Sequence, residues 1–590
     1  MRAGASRFDD TGTQQVSSRR WDTGRLNPPN RLWGSNGVTF GPDGRLYVAQ
    51  FLAGRISAVD TASGDVDVVV EQDGPVQAPD DLAFGADGSM YIADLTPGRV
   101  WRRTPDGTYT LVSDEVRVPN GITCVGDRLF VNEMKMNGRL LELFPDGRDP
   151  VVLTDGLALG NAMQLGPDGY LYYPHMIGNQ VWRIPPDGGL PELFAENVDD
   201  PVAVRFDKGG VLVVLSRGPA GIVTRIDLAT GVRSVVVSGV VGLDNAAFDA
   251  ENRMYVSSFG SGGVTEMHED GRTREIVPRG FSGPYGVTVD LRGTVYAADH
   301  YRLASPGDAG EGDSGGVVTH ELQTFVHGIT ADDGLLHFAS EYGDVRTYDP
   351  VGKSTRVRAR GLNEPTGIAV APDGALVVAE TGAGRVVRID GTNTDGTNTD
   401  GTNTDGTNTD GTNTDSASAD GTDAVTVLAE GLRHPVDVAF DAEGRCYVSD
   451  DRLGAVLRID DGEVVTVAEG LGAPQGLAVR GDELFTLDTG RRCLRVVSLT
   501  TGESRVDAEN LPVGLPPGIT RADPALFAEG GPGTPRPFAG LAVAPDGTLL
   551  VSANGEGSVL RLTDIGSGTD IGADTDAGPG SEPPGAVRTP

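Results

Sequence analysis

A unit of about 40 residues recurs twelve times along the chain, and its punctuation leaves few folds open. One copy reads Pro79-Asp80-Asp81-Leu82-Ala83-Phe84, then Ala86-Asp87-Gly88, then Met90-Tyr91-Ile92-Ala93-Asp94, then Gly98-Arg99-Val100-Trp101-Arg102. A later copy, from Pro365 to Arg388, repeats the pattern with Pro372-Asp373-Gly374 at the first turn. Each unit is a short apolar strand, an Asp-Gly turn, a second strand, a Gly turn and a third strand. A more polar fourth strand such as Val66–Val70 usually follows. Four antiparallel strands per repeat is the pattern of a propeller blade.

The residue opening the first strand tracks the register. It falls at Asn36, Asp80, Asn120, Asn161, Val202, Asn245, Tyr285, His327, Thr366, Val436, Gln475 and Ala539, mostly at steps of 39 to 44 residues. Propellers carry about 4–8 blades, so twelve repeats divide most simply into two tandem six-bladed β-propellers, an all-β chain. The expected boundaries are an N-terminal segment 1–30, a first propeller 31–280, a second propeller 281–565 and a disordered tail 566–590. Two steps are longer than the rest. Residues 391–415 are five copies of Gly-Thr-Asn-Thr-Asp without an apolar residue, so the insertion 391–423 is expected to be disordered. Residues 511–537 form a Pro/Gly-rich excursion. The twelfth repeat lacks an evident fourth strand, and 14–18 is a candidate to supply one.

Charge and cysteine content narrow the function classes. The net charge is −36, and only three of 48 basic residues are lysine. Such a surface repels phosphate backbones, so nucleic acid is not an expected partner. Three cysteines, Cys124, Cys446 and Cys493, are too few and too odd in number for a disulfide framework. No apolar run spans a membrane, and Met1-Arg2-Ala3-Gly4-Ala5 opens no signal peptide. The expectation is a cytoplasmic protein with a small-molecule substrate, without membrane attachment, whose second propeller offers a surface for a protein partner.

In a propeller the first strands line the central channel, so their opening residues meet around the axis. In the first six repeats these are Asn36, Asp80, Asn120, Asn161, Val202 and Asn245, with Asp244 beside the last. In the second six they are Tyr285, His327, Thr366, Val436, Gln475 and Ala539, without a carboxylate. Asn and Asp also suit turns entering strands, but the second half has the same turns without them. Converging amide and carboxylate oxygens suit a hard divalent cation, calcium first. The candidate ligands are Asn36, Asp80, Asn120, Asn161, Asp244 and Asn245. The second strand returns beside this mouth, and its end carries Gln50, Asp94, Glu133, His175, Arg217 and Phe259. His175 is the leading candidate base, because an imidazole titrates near neutrality; Glu133 and Asp244 are alternatives. The second half repeats acidic residues where Asp94 and Glu133 stand, which gives that position a structural reading as well.

Pro119-Asn120-Gly121-Ile122, Gly41-Pro42-Asp43-Gly44-Arg45-Leu46-Tyr47-Val48 and Gly98-Arg99-Val100-Trp101-Arg102 resemble the SMP-30/gluconolactonase/LRE-like superfamily, with NHL-type repeats in the second half. Asp244-Asn245 is similar to the Asp-Asn pair of paraoxonase-like propellers. The resemblance implies a divalent cation in the channel that polarises a lactone or ester carbonyl, with Asn120 matching the Pro-Asn-Gly ligand. Where the family places a glutamate in the first blade this chain has Asn36, which lowers the ligand charge. The leading expectation is a metal-dependent lactone or ester hydrolase. A lyase or cyclase of secondary metabolism on the same metal site, and a non-enzymatic interaction scaffold, stay open beside it.

Overall fold

The computed structural model describes residues 15–72, 74–307, 316–340, 342–390, 422–514 and 538–566. The tandem Gly-Thr-Asn-Thr-Asp insertion, residues 515–537 of the Pro/Gly-rich excursion and residues 567–590 of the tail lie outside these. Among the described residues the chain is all-β apart from a single 3-10 turn at Thr381–Ala383. It forms eleven antiparallel sheets: nine of four strands, one of five and one of six. The four-stranded sheets are blades of the propeller kind, and in all but one of them the strands run in sequence order from the inside outwards. The burial follows the strands' positions. The first three strands of a blade, as in Ser35–Phe40, Leu46–Gln50 and Arg55–Val59, are largely buried. The fourth, Val66–Val70, is exposed through its middle, as the outer edge of a blade should be.

The first strands pack side by side. Ser35–Phe40 lies against Pro79–Phe84, that against Pro119–Val125, and so on through Gln164–Leu165, Pro201–Phe206 and Leu243–Phe248, which returns to Ser35–Phe40. In the second half Val317–Asp332, Pro365–Val370, Pro435–Phe440, Pro474–Arg480 and Leu541–Val543 follow one another, and Val287–Val289 bridges the last to the first.

Two sheets depart from the repeat. Twelve four-stranded blades are expected from the sequence; eleven sheets form because Val317–Asp332 serves two repeats. With Val295–Pro306 it makes a long hairpin, its register running from His300 opposite Val326 to Pro306 opposite Val317. Its far end is then the first strand of the next repeat, pairing with Leu335–Ser340. The final repeat is completed by Trp21–Arg25, paired with Ser558–Asp564 from Arg25 opposite Leu560 to Trp21 opposite Asp564. The shorter Ser17–Ser18 instead adds a fifth strand to the preceding sheet, beside Ser504–Glu509.

The halves meet mouth to mouth. One apolar cluster joins Trp33, Phe51, Met134 and Met176 of the first half to Tyr285, Val436 and Phe538 of the second.

Candidate active site

In five of the six blades of the first half the register of the inner strand is irregular at its opening. Pairing jumps between Ser35 and Val38, Pro79 and Asp81, Pro119 and Ile122, Pro201 and Ala203, and Leu243 and Ala246. A bulge of this kind re-aims the side chain it carries. The aligned residues are Asn36, Asp80, Asn120, Asn161, Val202 and Asp244, and all six border one cavity of about 480 Å³. The sixth position is therefore Asp244 and not Asn245: Leu243 pairs with Ser258 as Ser35 pairs with Gln50. Asn245 lies one residue deeper, where its Nδ2 donates to Asp81 Oδ1 at 3.3 Å.

The neighbours are close enough to share hydrogen bonds. Asn36 Nδ2 donates to Asp80 Oδ1 at 3.2 Å. Asn120 Nδ2 approaches Met134 Sδ at 3.1 Å, and Asn161 Nδ2 approaches Met134 and Met176 sulfurs at 3.5 and 3.4 Å. Thioethers are weak acceptors, so these amides are lightly held. Asn120 Oδ1 is buried without a hydrogen-bond partner. The crowding demands glycine behind the ring. A Cβ on Gly37 would come within 2.3 Å of Asp81 Oδ1, and one on Gly121 within 2.1 Å of the Asn161 carbonyl.

Beneath this ring Arg205 crosses the axis, and the sequence reading missed it. The inner strand Pro201–Phe206 is apolar except for this residue, a signal that could have been read. Its guanidinium donates to the carbonyls of Ala246, Met163 and Val204 at 2.9–3.1 Å and stands 3.6 Å from Asp81 Oδ2. It borders a second cavity of about 290 Å³ at the other end of the channel. Three buried aspartates, Asp80, Asp81 and Asp244, thus cluster near one buried arginine, whose charge is felt at Asp81 and Asp244. Burial, reinforced by Asp244 and Asp81, holds Asp80 well above the usual carboxylate range. Burial and the nearby Asp81 push Asp244 up to about 8, with Arg205 pulling the other way. Asp81 is raised by burial to about 6, held back by Arg205 and two backbone N–H groups.

The second-strand ends divide by one residue. The last strand residues turn outwards. Glu133 accepts the Arg117 and Arg139 backbone N–H groups and pairs with the Arg139 guanidinium at 2.5 Å. Asp94 holds the Gln77 and Ala78 N–H groups, and Asp299, Glu380 and Asp488 clasp loops in the same way. Glu133 is therefore a loop clasp, and the structure does not bring it to the cavity. His175 is also absent from the lining. It stacks on Trp182 at 5.3 Å with Tyr173 at 5.7 Å, and burial lowers its pKa to about 4. The following residue faces inwards instead: Phe51, Met134, Met176, Arg217 and Phe259 border the cavity. The sequence reading placed Arg217 and Phe259 there but missed Phe51, Met134 and Met176, which a shift of one residue would have found.

The cavity's remaining wall comes from the second half. Tyr301, Leu322, Gln323 and Phe325 of the long hairpin and the nearby Tyr342 border it. Among the described residues no three His, Cys, Asp or Glu side chains form a metal cluster; the amide and carboxyl oxygens bordering the cavity are the amides of Asn36, Asn120, Asn161 and Gln323 and the carboxyls of Asp80, Asp200 and Asp244. The residues nevertheless fit a hard cation, since an orphaned amide oxygen and two carboxylates that lack full neutralisation point into one space.

No protein-family model and no curated protein sequence matches the chain. Solved structures that resemble it include a streptogramin B lyase, at 20% identity and TM-score 0.36, covering 47% of this chain and 95% of that one. A gluconolactonase from Xanthomonas campestris aligns at 18% identity and TM-score 0.34, covering 44% of this chain and 96% of that one. A calcium-binding regucalcin from Agrobacterium tumefaciens aligns at 19% identity and TM-score 0.33, over 40% and 85% respectively.

Proposed function

We propose that the chain is a tandem pair of six-bladed β-propellers whose N-terminal member, residues 31–280, is a metal-dependent hydrolase of a lactone or ester. The carrying observation is the convergence of Asn36, Asp80, Asn120, Asn161 and Asp244 on one cavity, where the buried carboxyls of Asp80, Asp81 and Asp244 outnumber the one buried arginine, Arg205. These five would hold a divalent cation, calcium by the hardness of the donors. A cation there supplies Lewis-acid polarisation of a carbonyl oxygen. The chain's own groups do the rest. Of the base candidates His175, Glu133 and Asp244, Asp244 borders the cavity, so it is the group to take a proton from water once its raised carboxyl has ionised. The amides orient the carbonyl, and the apolar walls limit competing water. The three cysteines are free thiols, in keeping with a cytoplasmic protein, and no helix among the described residues is long and apolar enough to cross a membrane.

The test is calcium-dependent stability. At 100-fold excess over its dissociation constant a bound ion adds about 2.7 kcal/mol, or about 5–10 °C in Tm for a domain of this size. EDTA should reverse the gain, and Asn120→Ala should reduce it. Asp80→Asn should raise the Tm of the metal-free protein, because it relieves the carboxylate repulsion, and should abolish the calcium response. Identical melting of all variants with calcium and with EDTA would refute the site.

The apolar wall favours one second reading, a lyase or cyclase on the same residues, because such chemistry needs water kept out. Reaction in heavy-oxygen water separates the two: a hydrolase places the label in its product and a lyase does not.

A further inference from the structure

Among the described residues the hairpin that joins two blades of the second half has no counterpart in the other repeats, and its base is strained. His300 and Phe325 have φ of +51° and +50°. Bulky residues in the left-handed region are unusual and persist where surrounding structure holds them, often at functional sites. The two flank the point where the hairpin leaves its blade, with His300 opposite Val326. From there the chain carries Tyr301 and Phe325 out over the mouth of the first half.

The aromatic residues form a continuous row. Phe259 of the first half meets Tyr301 edge-on at 4.9 Å, Tyr301 meets Phe325 at 5.0 Å, and Phe325 meets Tyr342 at 6.1 Å. The row is braced from behind. Gln323 Oε1 accepts from Arg346 Nη1 at 2.8 Å, and Arg346 is held by Asp344. Facing it are the Asn and Asp oxygens of the first half, with Met134 and Met176 between. The cavity therefore has oxygen ligands on one wall and aromatic rings on the other, with the Asp200–Arg217 ion pair and Gln323 also bordering it.

We propose that Tyr301, Phe325 and Tyr342 form a specificity wall, contributed by the second half to the site of the first, that selects a substrate with a flat apolar or aromatic group beside its reacting carbonyl. This rests on the reading above for the carbonyl, and on the wall itself for the group attached to it. A polyhydroxylated lactone would press some of its hydroxyls against Met134, Met176, Phe259 and Phe325, where they lose hydrogen bonds, and Asp200, Arg217 and Gln323 serve only the hydroxyls that reach them. A planar ring offers offset and edge-on contacts to the same surfaces. The wall also gives the second half a function that does not need its own catalytic residues.

The experiment uses the full chain with calcium and two lactones, dihydrocoumarin and glucono-δ-lactone. It adds 3-(2-hydroxyphenyl)propionate, the ring-opened acid of the first, as a calorimetric probe that requires no turnover. The aryl lactone should be turned over with a kcat/KM at least about tenfold above that of the sugar lactone, and Tyr301→Leu or Tyr342→Ala should weaken its handling about tenfold, mainly through KM. Tyr342 is 48% exposed, so its replacement removes its contact with Phe325 at little cost in buried packing. Preference for the sugar lactone, or indifference to both substitutions, would overturn the wall. If neither lactone is hydrolysed but the acid binds and Tyr301→Leu weakens it, the hydrolase reading falls and the wall stands. If the acid does not bind, the wall falls as well.

Discussion

A chain lacking residues 1–25 is expected to melt in its C-terminal half about 10–20 °C below the full chain, from a loss of more than about 5 kcal/mol. Trp21–Arg25 is the fourth strand of the last sheet, although more than 500 residues separate it from its partner Ser558–Asp564. Without it that strand's main-chain edge is exposed, which invites pairing with other chains. Trp21 is 3% exposed and meets Phe485 edge-on at 5.8 Å. Arg25 pairs at 2.7 Å with Glu556, whose side chain is fully buried, and removing one partner of such a pair leaves a costly lone charge. Arg20 ties three strands together through Glu483, Asp507 and Asp564 at 2.6–2.9 Å. Its hydrogen bonds hold the Glu483 and Asp564 carboxyls down at about 2. Depressed carboxyl pKa values stabilise above the unfolded value, and that contribution fades as pH falls through the folded one. The Arg20 part of the deficit should therefore shrink between pH of about 4 and about 2. Calorimetry of the two chains, with and without a peptide covering residues 15–26, checks the claim. An unchanged endotherm for the shortened chain would show that the strand does not close the sheet.

The blades were legible because their turns are local. Each Asp-Gly step places a glycine at positive φ, as at Gly44, Gly88 and Gly374, and the apolar runs on either side have no other partner. The axial oxygens were legible by the same counting, up to the sixth repeat. There Leu243 stands where Pro79, Pro119 and Pro201 mark the phase, and two adjacent oxygen-bearing residues allow either register. Only the pairing of Leu243 with Ser258 separates them. His175 shows the limit of residue type as evidence. Its imidazole is suited to catalysis, but strand alternation sends successive side chains to opposite faces, and Met176 faces the cavity. The hairpin was hidden by its length. Tyr285 to His327 is an ordinary step of 42 residues, although within it a third strand runs straight into the next repeat and no separate fourth strand forms among the described residues. The closing strand was misplaced because Trp21-Asp22-Thr23-Gly24-Arg25 is polar with a central glycine. Its partner is set by the far end of the chain, which local pattern does not report.

Replacing Arg205 with leucine is expected to destabilise the N-terminal half by about 3–5 kcal/mol at neutral pH, the cost of stripping one partner from a buried charged cluster. The guanidinium has two tasks. It satisfies three backbone carbonyls around the axis, and it is the cation that faces Asp81, with its charge also felt at Asp244. Leucine fills part of the volume and meets neither need. The pH dependence has a definite sign. Asp81 titrates higher in the folded chain than unfolded even with Arg205 present, and burial is the cause. Removing the arginine raises it further. A carboxyl with a raised folded pKa stabilises at low pH and loses that contribution as pH climbs past its unfolded value. The gap between variant and parent should thus be small near pH of about 4 and widen up to pH of about 8. Adding Asp81→Asn to Arg205→Leu removes the stranded charge and should recover a large part of the loss. Calcium should rescue the single variant only in part, since the ion would sit among Asp80, Asp244 and the amides, one layer above Asp81. Melting curves of the three proteins across this pH range decide the matter. If Arg205→Leu melts with the parent at every pH, Arg205 is not the charge that holds the axial aspartates in place.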